Sequence, residues 1–168
     1  MSPDRPSRPD VLIIRHYKEK RSKCSLEPLF GKEGYHFVTW KPGKKIQLPR
    51  PHLLLEVGAP PLSPADRGQP LLLLDSTWRY LPGMRSAVQG EVLPRSFPPG
   101  FRTAYPRKSK LFDDPEPGLA SIEALYLALR FLGFPDESLL DAYRWKEDFL
   151  RGIDDSLFQG SPTPPETL

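Results

Sequence analysis

Asp75, Ser76, Thr77 and Trp78 place a carboxylate, two hydroxyls and an indole directly after an unbroken run of four leucines, residues 71–74. A carboxylate at the end of a buried strand can hold a ligand's hydroxyl or amine, or take a proton where burial raises its pKa. Capping the first amides of a following helix is the commoner role of such a residue, and both readings stay open here. Trp78 can stack on a base or an adenine, although an aromatic one turn into a helix is more often core. Ser121 stands just before an apolar helical pattern, where its hydroxyl can cap the helix or meet a ligand carboxylate beside the positive helix end. Glu123, near the same end, complements the helix dipole.

Basic residues fall in three clusters: 18–23, 41–45, and the set Arg102, Arg107, Lys108 and Lys110. The last is interleaved with Phe101, Tyr105 and Phe112, the mixture of phosphate-binding charge and stacking rings that single-stranded RNA contacts use. Three clusters in a chain of formal charge +3 point to one basic face, while each alone reads as solvated surface. Cys24 is the sole cysteine, so an intrachain disulfide and a cysteine-rich metal site are both excluded. His16, His36 and His52 lack zinc-enzyme spacing, and no metal is expected. No apolar run approaches bilayer length and the first nine residues are polar and proline-rich, so no membrane partner and a cytoplasmic location are expected. GxGxxG, P-loop and GxSxG motifs are lacking, which argues against Rossmann binding, NTP hydrolysis and an α/β-hydrolase triad.

The elements that must position these groups can be read from pattern. Residues 71–74, bounded by Gly68 and Pro70, suit a strand buried on both faces in a parallel sheet, and ligands of such sheets bind at the carboxyl ends. Further strands are expected at 11–17, 35–40 and 52–57. Pro64 at the first position of a short turn capped by Ser63 closes the proline-rich loop before the leucine strand. A helix starting near Thr77 should break or kink at Pro82-Gly83. Residues 94–115 read as a structured loop, 119–132 as a helix with the apolar stripe Leu119, Ile122, Leu125, Leu129 and Leu132, and 136–151 as a second helix. Extended segments followed by covering helices imply an α/β class. One folded unit of this length is expected, probing out as an extended portion at 10–60 and a portion at 61–155, between disordered ends at 1–9 and 156–168.

Taken in order, these segments resemble the small-subunit rRNA aminocarboxypropyltransferase family. HYKEKRSKCS at 16–25 is similar to the family's opening strand and its KKCTG-like turn, and LSPADR at 62–67 to its loop before the central strand. LLLLDSTW at 71–78 corresponds to its DCSW, FRTAYP at 101–106 to its AANP loop, LASIEAL at 119–125 to its helix start, and 132–150 to its last helix. The related DTW-domain family, which modifies tRNA uridines, carries DGTW; the KCS and RW…FL segments here favour the rRNA branch. Departures from the family pattern are Ala120, Lys146 and a longer, more basic segment after Tyr105.

The resemblance implies a SPOUT-like knotted sheet covered by helices. It also implies bound S-adenosylmethionine and transfer of its 3-amino-3-carboxypropyl group to a uridine-type nucleotide in structured RNA, rRNA before tRNA. By the same resemblance Ser25 binds the methionine carboxylate, and Asp75 contacts the amino group or takes the nucleobase proton. Trp78 packs near the sulfonium methyl, and Leu62, Leu74, Phe101, Arg102 and Ser121 hold the adenosine. Lys20, Arg21, Lys23, Arg107, Lys108 and Lys110 would hold RNA phosphates. A monomer is expected. The alternative is a non-catalytic RNA-binding ribosome-assembly factor that retains the fold.

Overall fold

The computed structural model describes residues 8–20, 25–104 and 119–158. In chain order the strands are β1 (Val11–His16), β2 (Tyr35–Trp40), β3 (Ile46–Gln47), β4 (His52–Leu55), β5 (Leu71–Asp75), β6 (Val88–Gln89) and β7 (Val92–Arg95). The α-helices are α1 (Leu81–Ala87), α2 (Ser121–Phe131) and α3 (Lys146–Arg151).

Five strands form one sheet in the order β2-β1-β5-β4-β7, and every neighbouring pair is parallel. Their carboxyl ends therefore emerge along one edge. From β1 the chain leaves toward β2 on one side; from β5 it leaves toward β7, beyond β4 on the other. The reversal falls between β1 and β5, the position at which open α/β sheets bind ligands. Arg15 and Asp75 are register partners there.

Strand alternation sends these runs to two cores. Val11, Ile13, Leu71 and Leu73 pack with α2, whereas Ile14, Leu54 and Leu72 pack with Trp40, Met84 and Val88 on the opposite face. Arg15 and Asp75 continue the first series, so both point to the α2 side. The leucine run is buried on both faces as its composition required.

Four sequence expectations are corrected. Pro82-Gly83 does not break a helix: after a 3-10 turn at Trp78–Tyr80, α1 starts at Leu81, so Pro82 stands in the first turn, where no intrahelical N–H bond is lost. Pro94 and Arg95, the start of the segment read as loop, belong to the strand Val92–Arg95, and Pro94 is tolerated because β7 lies at the sheet edge. The expected helix at 136–151 is instead a 3-10 turn, Glu137–Leu140, followed by α3. The break lets Tyr143 swing its hydroxyl to Glu123 Oε2 at 2.9 Å. Finally, the folded chain runs past 156: a turn at Asp155–Phe158 seats the Phe158 ring on Phe101 and Phe131, with centroids 5.3 and 4.7 Å away.

The stripe assigned to α2 was also too narrow. Tyr126, Leu127, Ala128 and Phe131 are buried as well, so the helix is apolar nearly all round and enclosed. Its one buried charge is Glu123, at 0% exposure. The carboxylate accepts from Thr103 Oγ1 at 2.6 Å, Ala104 N–H at 2.8 Å, Ala120 N–H at 2.7 Å and the Tyr143 hydroxyl. These bonds tie the 101–104 loop and the segment before α3 to the start of α2. Glu123→Ala strands these half-buried donors together, and a loss of about 3–5 kcal/mol in denaturant-measured stability is expected. A loss below about 1 kcal/mol would show that the loops are held by something else.

Candidate active site at the sheet's carboxyl edge

Ala120, the N-cap of α2, has no hydroxyl to offer the helix amides. Ser25 supplies one from a distant segment: its Oγ accepts the Ile122 N–H at 3.1 Å. Ser121 is thereby free to turn to the sheet, and its hydroxyl donates to Asp75 Oδ1 at 3.2 Å. Ser25, Asp75 and Ser121, drawn from three separated segments, thus meet around one helix N-terminus.

Asp75 is 5% exposed, as is Arg15 beside it. Arg15 Nε lies 3.5 Å from Asp75 Oδ2 and its Nη1 lies 2.9 Å from Glu27 Oε2. Its guanidinium also covers the Phe37 ring, 4.9 Å from the centroid. Next to Asp75, the Ser76 Oγ is buried and has no hydrogen-bond partner among the described residues. An orphaned hydroxyl beside a buried carboxylate is costly in a closed core and expected where a polar ligand completes the site.

The turn after β1 brings up Glu19, whose amide N–H donates to the His16 carbonyl at 2.9 Å. Burial pushes the Glu19 carboxyl above the usual carboxylate range, the negative charge of Asp75 adds to this, and Arg15 opposes it. His16 Nδ1 accepts the Lys18 amide at 3.1 Å, and its ring stacks on Tyr80 with centroids 4.1 Å apart. Burial, with the Lys18 charge, holds its pKa below the ordinary histidine value.

Of the other expected cofactor-binding residues, Leu62, Leu74, Phe101 and Arg102 are among those described. Leu62 is buried and its amide donates to the Ser96 carbonyl at 2.9 Å, just past β7. The LSPADR turn is locked there by Asp66, which accepts the Ser63 amide at 3.1 Å and pairs with Arg95 Nε at 3.1 Å. Leu74 is half-buried on β5, facing the second core. The Phe101 ring packs among Phe97, Phe131 and Phe158, which fixes the loop carrying it. Arg102 is exposed and, with Thr103, lines a cleft of about 460 Å³ reaching Asp148 and Gly152 near α3.

Lys20 is exposed beyond β1. Arg21, Lys23, Arg107, Lys108, Lys110 and the Trp78 side chain lie outside the described residues, as do Cys24 and 159–168. Lys41, Lys44 and Lys45 follow the end of β2, as Lys18 and Lys20 follow the end of the neighbouring parallel strand β1. Among the described residues no helix is long and apolar enough to cross a membrane.

Sequence reading missed Arg15, Glu19 and Glu27 as site residues, and gave Ser76 no role beyond its place in the run 75–78. A charged residue inside the apolar run Val11–His16 was the available signal for Arg15; the partners of Glu19 and Glu27 depend on strand order and had none.

The strand order and the all-parallel pairing define an α/β fold, and a structural likeness makes it one of the SPOUT-like type. The same fold is found in the SAM-dependent rRNA:acp-transferase Tsr3 from Vulcanisaeta distributa, with a TM-score of 0.69 and 24% identity over 92% of this chain and 85% of that one. No family model and no curated protein sequence matches the chain.

A raised folded-state pKa at Glu19 means that its contribution to stability is present below the unfolded value and is lost as pH rises through the folded one. Glu19→Gln should therefore melt close to the wild type at about pH 3.5 and above it at about pH 7. Thermal unfolding at both pH values checks this; a difference that does not change with pH would contradict the burial of Glu19 against Asp75.

Proposed function

We propose that this protein transfers the 3-amino-3-carboxypropyl group of S-adenosylmethionine to a uridine-type nucleotide of rRNA. The observation that carries the reading is the convergence of Ser25, Asp75 and Ser121 at the switch point of a sheet. The likeness in fold to a SAM-dependent rRNA:acp-transferase supports it.

The residues present fit the cofactor. Its amino acid end carries an ammonium and a carboxylate, and the site offers a buried carboxylate at Asp75 beside the positive N-terminus of α2. The orphaned Ser76 hydroxyl is available as a further donor or acceptor. When bound, S-adenosylmethionine supplies a sulfonium carbon open to attack by a nucleobase nitrogen, with methylthioadenosine as the leaving group.

In this reading Asp75 anchors the ammonium, while Ser121 and Arg15 hold the carboxylate in a fixed orientation. Ser25 meets the cofactor's carboxylate at the helix end it already caps. Backbone groups near Leu62, Leu74, Phe101 and Arg102 line the adenosine. The rate comes mainly from orientation, because one of three carbons on sulfur must be turned to the nucleophile. Lys20 and its neighbouring basic residues contact RNA phosphates, which makes binding weaken with salt.

The test is incubation with S-adenosylmethionine and rRNA. Release of methylthioadenosine is expected, and Asp75→Asn should lower kcat/KM roughly 10- to 100-fold, the worth of one hydrogen bond to a charged group. Release of S-adenosylhomocysteine would mean methyl transfer instead, and an unchanged Asp75→Asn would remove Asp75 from the site.

A further inference from the structure

Between the carboxyl ends of β1 and β2 lies a cleft of about 310 Å³ that none of the roles above occupies. Arg15, His16, Tyr17, Glu19, Phe30, Phe37 and Thr39 line it, Arg15 and His16 buried, Tyr17, Phe30 and Thr39 exposed. The strand ends that frame it are tied together by the Tyr17 N–H, which donates to the Trp40 carbonyl at 2.9 Å. Two features of this cleft are unusual for plain surface.

The first is aromatic exposure. Phe30 is 54% exposed and Tyr17 43%, among the few large apolar side chains left open to solvent in the described residues. Phe30 meets Phe37 with centroids 5.4 Å apart, so the ring is braced rather than loose. Rings presented in this way form a stacking platform for a planar base.

The second is charge arrangement. Exposed Lys18 and Lys20 flank Glu19 in the turn after β1, exposed Lys41, Lys44 and Lys45 follow the end of β2, and Lys44 Nζ donates to the carbonyl of Thr39, a lining residue, at 3.0 Å. The cleft itself is lined by one carboxylate, Glu19, with no hydrogen bond or ion pair to any described residue. Exposed lysines suit a phosphate backbone, and a lone acceptor in the cleft suits the N–H edge of a base.

Arg15 joins the two sites, lining the cleft and pairing with Asp75. Resting on the transferase reading, we infer that this cleft receives the target nucleobase out of its RNA stack, between Tyr17 and Phe30, and that Glu19 accepts its imide proton.

The step balances. The imide N–H gives its proton to the Glu19 carboxylate, and the nitrogen electron pair forms the new N–C bond. The C–S bond breaks with its electrons going to sulfur, which leaves as neutral methylthioadenosine. Glu19 then returns the proton to solvent through the open mouth of the cleft. Burial and the nearby Asp75 make Glu19 a stronger base than an exposed glutamate, against the opposing charge of Arg15. Glu27 faces it across Arg15, and His16 and Lys18 flank it within the same turn.

The experiment has two arms, both on the full chain. In the first, binding of a uridine-containing single-stranded oligoribonucleotide is measured without cofactor. Phe30→Ala should weaken it roughly tenfold, the scale of one base–aromatic stack. In the second, transfer to rRNA is followed across pH. Glu19→Gln should lower kcat about 100-fold at unchanged cofactor affinity and abolish the acid limb of the pH–rate profile. Glu19→Asp should recover part of the rate with the limb restored.

Wild-type binding by Phe30→Ala, or wild-type transfer by Glu19→Gln, overturns the inference while leaving the transferase reading standing. If the wild type itself transfers nothing, the transferase reading and the role of Glu19 both fall, and the Phe30→Ala binding result then decides alone whether the cleft takes RNA.

Discussion

A buried carboxylate is tolerable only when its lone pairs are filled, and Glu123 has its four donors from α2's own first turn, from the 101–104 loop and from Tyr143. That requirement decides where three loops can go. The helix start cannot shift without breaking the bond to Ala120, and the loop cannot swing out without unpairing Ala104. Residues 137–151 cannot run as one helix and still deliver Tyr143. Ser25 and Ser121 are therefore aimed by a group that touches no ligand.

The sheet supplies the second constraint. Because β1 and β5 are parallel and in register, Arg15 and Asp75 end side by side on one face, and α2 covers that face. The guanidinium reconciles carboxylates that would otherwise repel, and it stands between two recesses: the helix end proposed to take the cofactor's amino acid arm, and the cleft behind Tyr17 and Phe30. In the proposed reaction, transfer between two such recesses needs little movement of the protein. It depends on the two ligands being turned toward each other.

How much of this was legible in the sequence follows from what each feature depends on. The leucine strand, Asp75 at its end, the LSPADR turn and the α2 start were legible because they rest on local composition: apolar continuity, proline at a first turn, a carboxylate in the first helical turn. The pairing of Arg15 with Asp75 was not, since it needs the strand order. Pro82-Gly83 misled because proline breaks a helix only inside it, and the helix begins there. Pro94 misled similarly, since the edge position that excuses it is a property of the whole sheet. Ser25 was singled out by its segment's resemblance to a family turn; that it caps a helix ninety-seven positions on is a tertiary fact.

The central claim is one of orientation: the cofactor's amino acid arm lies at Asp75 with its reactive carbon facing the Glu19 cleft. A crystal structure with S-adenosylmethionine bound tests this most directly. The account predicts the ammonium on Asp75, the Ser76 hydroxyl engaged, and the γ-carbon, rather than the methyl, open toward Tyr17, Glu19 and Phe30. A cofactor seated with its methyl toward that cleft, or bound away from Asp75 altogether, would contradict it.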